Sequence, residues 1–153
     1  MKLLGAGTWE GRGSVLFEGR SLGLTTTSDM QVEVEDGALL LTGHVDVVGH
    51  GSAELSARLV ENEHGTYTLD VFHRGARLDG MGKFDSEPNL GLLWNEAGTI
   101  HVSVALFATG RGVGCRGFLR ERGAGLTWEI AFTRQGGKAS GGNVVSMFRR
   151  KGR

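Results

Sequence analysis

Cysteine occurs once in the 153 residues, at Cys115, so no internal disulfide can form and the chain must be held by packing and hydrogen bonds. A lone thiol also fits a reducing, cytoplasmic compartment. Proline occurs once, at Pro88, which excludes a disordered Pro/Gly-rich chain. An excess of one charge is missing too: 17 basic and 17 acidic residues cancel, leaving no electrostatic case for nucleic acid. No stretch approaches the ~18 consecutive apolar residues of a membrane span. Met1-Lys2-Leu3-Leu4 starts like a secretory signal, but Gly5-Ala6-Gly7 follows at once and no apolar region develops.

The motifs of common chemistries are also absent. There is no Cys-x-x-Cys, His-Glu-x-x-His, phosphate-binding Gly-Lys-Ser/Thr loop or nucleophile elbow. Gly112-Val113-Gly114-Cys115-Arg116-Gly117 does match a dinucleotide fingerprint, but the helix that motif requires has no room before the turn at Gly123. Those glycines read instead as relief for a curved strand. His44 and Asp46, with His50 nearby, share a strand face but point to solvent, so no metal site is expected. The basic tail Arg149 to Arg153 reads as a solvated terminus.

What the chain has in abundance is glycine, 27 of 153 residues against a usual ~7%. It is spread without period among short alternating segments, as in strands joined by tight turns. In the first segment Trp9, Gly11, Gly13, Val15 and Phe17 alternate with Glu10, Arg12 and Ser14. Asp36-Gly37 is a strong hairpin signal and pairs Val34 with Leu39 and Val32 with Leu41. A loop at His50-Gly51-Ser52 pairs Val47 with Leu55, and one at Asn62-Glu63-His64 pairs Leu59 with Tyr67. Arg74-Gly75 pairs His73 with Ala76 and Val71 with Leu78. These four hairpins agree on a single inner face. The last also sets Asp70 opposite Asp79 on the outer face, where Arg77 or Lys83 can screen them; a register slip or a bound cation are the alternatives.

Further strands fall at about 90–95, 99–108, 113–121, 126–134 and 143–150. Ten or eleven strands in neighbour order predict an all-β fold, an antiparallel up-and-down β-barrel in one domain over residues 1–153.

Gly7-Thr8-Trp9 at the start of the first strand resembles the Gly-x-Trp signature of the calycin superfamily, which includes lipocalins, fatty-acid-binding proteins and avidins. In that superfamily an arginine near the end of the closing strand packs over the tryptophan. The strand count brings Arg134 to the end of the barrel that holds Trp9, which suits cation–π stacking. The chain lacks the disulfides and C-terminal helix of lipocalins and has no room for the helical lid of fatty-acid-binding proteins. Short bacterial lipocalin-like domains and the haem-binding nitrobindin group look closer. A strand at 143–150 would be an addition to that plan.

The topology gathers Phe17, His73, Trp94 and Trp128 at the upper rim and leaves Tyr67 with Trp9 below. Tyr67 and His73 lie roughly 20 Å apart along their strand and cannot act as one pair. Small inward residues (Gly11, Gly13, Gly43, Ala53, Ala57, Gly80 and Gly82) leave room for a cavity, although aromatics can also simply fill a small barrel. His101 and Ser103 face inward if Asn95 to Gly98 is a four-residue loop closed by Trp94 and Thr99. They face outward if Ile100, Val102, Val104 and Leu106 line the interior, which is the stronger argument.

The expected function is binding of a small apolar or aromatic ligand at Phe17, Tyr67, His73, Trp94 and Trp128, with no cofactor or metal. One alternative is a cofactor-free isomerase or cyclase using His73 or His101 as acid and base. Another is a haem barrel with one of those histidines as axial ligand.

Overall fold

The computed structural model describes residues 2–136, and the candidate strand at 143–150 lies outside them. Ten antiparallel strands close into one barrel in which each strand pairs with its sequence neighbour and the first pairs with the last. They are β1 (Gly7–Phe17), β2 (Leu24–Glu35), β3 (Ala38–Val47), β4 (Gly51–Glu61), β5 (Tyr67–His73), β6 (Ala76–Lys83), β7 (Asn89–Trp94), β8 (Ile100–Thr109), β9 (Gly112–Glu121) and β10 (Ala124–Arg134). This is the up-and-down plan expected of a calycin-like barrel, and closure leaves no edge strand open to pairing. Among the described residues no helix is long and apolar enough to cross a membrane.

The tightest turns follow directly from residue type. Asp36-Gly37, Arg74-Gly75 and Arg122-Gly123 each hold two successive residues at positive φ, the requirement of a type I′ turn. The registers imposed by the first two are those expected, with Val32 opposite Leu41 and Val71 opposite Leu78, while the Arg122-Gly123 turn is tighter than the strand spacing suggested and starts β10 at Ala124. Two other hairpins differ. The β3–β4 turn is built on Val48-Gly49-His50, so Val47 faces Gly51 instead of Leu55. Two glycines two residues apart, Gly49 and Gly51, both take positive φ, and either could have centred the turn. The β4–β5 loop runs to five residues, from Asn62 to Thr66, so Leu59 meets Leu69 instead of Tyr67. There the Asn62 side-chain oxygen accepts from the amides of His64 and Thr66, a local cap that widens the loop. Both shifts move the pairing by an even number of residues, so the inner face survives intact.

Asp70 does stand opposite Asp79. The Arg77 guanidinium resolves the clash, donating to both Asp70 oxygens at 3.1 Å and lying 3.7 Å from Asp79.

The lower end of the barrel is packed solid. Trp9, Met30, Val32, Leu41, Tyr67, Leu69 and Phe84 belong to one buried cluster, joined by Leu4 from the leading segment. Leu4 is only 5% exposed, so its side chain plugs the floor from the segment before β1. Two inward glycines expected to leave empty space, Gly11 and Gly82, are covered by the rings of Phe132 and Phe84, and Gly117 is covered in the same way. A Cβ on Gly82 would sit 2.3 Å from the Phe84 ring, and one on Gly117 would sit 1.9 Å from the Trp128 indole. Glycine is required at those points by the aromatic lying over it.

Two stability predictions follow from this packing. Leu4→Ala should cost about 2–4 kcal/mol by opening a cavity in the floor, measured by urea unfolding; a loss below about 0.5 kcal/mol would show that the plug is not part of the core. Gly117→Ala should cost about 1–3 kcal/mol by displacing the indole, and a shift in tryptophan emission should accompany it.

Candidate functional site: the open mouth of the barrel

Closure is secured at both ends of the β1–β10 seam. At the lower end Trp9 and Arg134 are direct cross-strand partners, and the Gln135 amide donates to the Thr8 carbonyl at 2.8 Å. The Trp9 indole N–H donates to the Gly5 carbonyl at 3.0 Å. The Arg134 guanidinium lies across Gly7 and donates to the Ala6 carbonyl. Gly7, Trp9 and Arg134 therefore meet, with the arginine binding the backbone of the leading segment. At the upper end the Glu18 carboxylate accepts from the Gly125 amide at 2.8 Å, while the Glu18 amide donates to the Gly125 carbonyl at 2.9 Å.

Burial changes along the barrel axis. Most inward residues of the lower half are buried, whereas many in the upper half are only half-buried despite pointing the same way, with Val15, Thr26, Leu78 and Val102 buried among them. Leu24, Val45, Val47, Ala53, Leu55, Val71, Ile100, Leu119 and Leu126 all share the half-buried state. Apolar side chains that face the interior yet touch solvent mark a cup open at one end. That cup is a barrel cavity able to hold a small hydrophobic or aromatic ligand. On the outer side of this rim, separate from the interior of the cup, a cleft of about 290 Å³ lies between β1, β9 and β10, lined by Leu16, Arg20, Phe118, Arg120 and Thr127 beside Phe17 and Leu126.

The expected site residues separate in this geometry. Phe17 stands at the rim, its ring stacked on His50 with centroids 4.9 Å apart. Trp128 faces inward, lies on Gly117, and donates its indole N–H to the Cys115 sulfur at 3.4 Å. Burial pushes the Cys115 thiol up, so it stays protonated and unreactive at neutral pH. Tyr67 belongs to the packed floor: its hydroxyl lies 3.1 Å from both oxygens of Asp85. Burial first, then the Asp85 carboxylate, pushes the phenol up to about 12. Tyr67 is thus removed from the mouth.

Trp94 is a correction. It lies on the outer face, 41% exposed and opposite His101, and cannot line the mouth. The loop after β7 decides this, because the Asn95 side chain accepts from the amides of Thr99 and Ile100, both at 2.8 Å. That cap closes the hairpin so that Leu93 and Val102 face the interior while Trp94, His101 and Ser103 face out. His101 is thereby taken out of any interior chemistry.

His73 remains. Its Nδ1 lies 2.9 Å from the carbonyl oxygen of Glu54, and a carbonyl only accepts, so Nδ1 carries the proton. Burial lowers the imidazole below its ordinary range, the Glu54 hydrogen bond opposing this in part. The neutral ring is left with Nε2 as a lone-pair nitrogen. Of the five histidines, His44 and His101 lie on the outer face and His50 and His64 in loops, and only His73 is an inward, half-buried strand residue. His44, between Asp29 at 3.7 Å and Glu54 at 4.0 Å, is part of a solvated outer face. Among the described residues no group of three or more His, Cys, Asp or Glu could hold a metal ion.

The sequence signals for the floor plug and the Asn95 cap were weak. Leu3-Leu4 looks like any chain start, and Asn95 is one polar residue in a turn-rich stretch.

No protein-family model matches the chain, and no curated protein does. Among solved structures the S-type phycobiliprotein lyase of Guillardia theta is similar over 87% of this chain and 89% of its own, at 13% identity and a TM-score of 0.37. A likeness of that degree carries no argument about ligand or activity.

The tautomer is directly measurable. Nitrogen-15 spectra of the imidazoles should show His73 protonated at Nδ1 and titrating below the ~6.5 of a free imidazole; protonation at Nε2 would remove the Glu54 hydrogen bond. Because the folded value is lowered, the neutral ring's contribution to stability is complete above ~6.5 and is lost as pH falls through the folded value. His73→Asn should therefore flatten the acid limb of a plot of Tm against pH.

Proposed function

We propose that this barrel binds a flat, largely apolar small molecule in its upper half. The apolar walls would supply affinity, and His73 Nε2 would accept a hydrogen bond from the ligand's polar end. The observation that carries this reading is the axial change in burial: a solid floor below, and inward apolar side chains wetted by solvent above. Removing that wetted surface from water is worth ~25 cal/mol per Å², which favours a ligand that covers several of these residues at once. Phe17 at the rim and Trp128 on the inner wall would be the aromatic contacts of such a ligand.

A second reading keeps the same cavity and adds chemistry at His73. A neutral imidazole whose Nδ1–H is fixed on a backbone carbonyl presents Nε2 as a base, as a proton-moving isomerase or cyclase needs. The same arrangement is what a metal-ligating histidine commonly shows, so a haem would use His73 and not His101.

Ala53→Trp, which fills the mouth from β4, should weaken binding of hydrophobic dyes and fatty acids by about tenfold or more at unchanged circular dichroism. Tyr67→Phe should leave binding within a few fold. Equal binding by the wild type and Ala53→Trp would sink the cavity reading. If His73→Ala abolishes turnover of a candidate substrate while affinity holds, the enzyme reading takes over, and a Soret band on adding haem would decide for the tetrapyrrole.

A further inference from the structure

The outer wall carries a feature that neither the mouth nor the floor uses. On β7 the outward residues are Leu90, Leu92 and Trp94, exposed by 50%, 52% and 41%, while the inward residues are Asn89, Gly91 and Leu93. This strand is more apolar outside than inside, the reverse of a wet barrel wall. Met81, 54% exposed, lies directly opposite Leu92 on β6 and extends the patch sideways.

Charge is arranged about that row with opposite signs on its two sides. Along β6 the outward residues run Asp79, Met81, Lys83. Asp79 lies opposite Trp94, and Lys83 lies opposite Leu90. On the Asp79 side the Arg77 guanidinium is bonded to Asp70 at 3.1 Å and reaches Asp79 only at 3.7 Å, so Asp79 is the more loosely held of the two carboxylates and the one nearer the apolar row. Lys83 is four residues further along the strand, or ~13 Å away. A two-fold axis lying in the contact plane along the Met81–Leu92 row reverses strand direction and keeps each strand facing its own copy. It would set Met81 on Met81 and Leu92 on Leu92, Trp94 on the partner's Leu90, and Asp79 on the partner's Lys83. The face is therefore complementary to itself, in shape class and in sign, as an isologous contact must be.

We propose that this β6–β7 face is the interface of a homodimer, with a second copy of the chain as its occupant. The axis turns the two barrels end for end, so their mouths open in opposite directions and both stay free. A convex wall of about three strands offers less than the ~800 Å² per partner of a standard interface. The dimer is accordingly a weak one, forming with rising concentration.

Sedimentation velocity of the full chain across a wide concentration range tests this. A monomer–dimer equilibrium is expected, weakened about tenfold or more by Leu92→Lys at the centre of the patch. Leu90→Glu serves the same purpose should that variant fail to fold. Asp79→Lys and Lys83→Asp should each weaken the dimer, and the two together should restore it, because the swap preserves the crossed pairs. A chain that stays monomeric at every concentration overturns the proposal, as does a dimer indifferent to Leu92→Lys or Leu90→Glu. Failure of the double swap overturns the antiparallel register. Monomers that pellet with phosphatidylcholine vesicles and lose this with Leu92→Lys or Leu90→Glu would assign the face to lipid instead.

Discussion

The pairing of β1 with β10 is the constraint on which the rest depends. Until the first strand meets the last, the chain is an open meander with two edges and no interior. Once Trp9 stands beside Arg134 and Glu18 is bonded to Gly125, the odd-numbered residues of β1 and the even-numbered residues of β10 become the lining of a tube. The leading segment takes part: the Trp9 indole and the Arg134 guanidinium hold the carbonyls of Gly5 and Ala6, which keeps Leu4 in the floor. The plug, the seam and the sidedness of every strand thus share one set of contacts.

With the tube closed, volume decides what it can do. A ten-stranded barrel encloses more than its strands can fill unless large residues crowd inward. This chain crowds them at one end. Phe84 over Gly82 and Trp9 beside Met30 make a solid base, while Val45, Val47, Ala53 and Leu55 leave the other end hollow and wet. The hollow end is apolar except for Thr26, whose hydroxyl is already donated to the Leu24 carbonyl, and His73, whose protonation is settled by one backbone carbonyl. A cavity with one polar group of defined role can hold a ligand in one orientation.

Much of this was legible in the residues. Alternation of polar and apolar side chains named the strands, and Asp36-Gly37 and Arg74-Gly75 gave registers to the residue, because a two-residue turn at positive φ leaves no freedom in how its strands pair. Longer loops left more. At Gly49 and Gly51 two equivalent turn centres competed, and at Asn62 a side-chain cap lengthened the loop; neither error changed the inner face, since each shift was even. At Asn95 the same kind of cap altered the answer, turning Trp94 outward. The pattern of β7 itself gave no warning, because that strand is apolar on both faces; only the alternation of β8, whose Ile100 and Val102 face inward, pointed to the outcome.

By itself, then, the sequence determined the strand content, the neighbour order and the closing pair, since these rest on side-chain periodicity and on turns whose backbone angles few residues tolerate. It showed too that no cysteine-pair or phosphate-loop motif is there for a site to be built on. Tertiary structure alone decided which glycines are empty and which are covered, which tryptophans face the cavity, and which half of the barrel is solid. Those depend on where a large side chain comes to rest across several strands. That is a question of shared volume among residues far apart in the chain, and no local pattern encodes it.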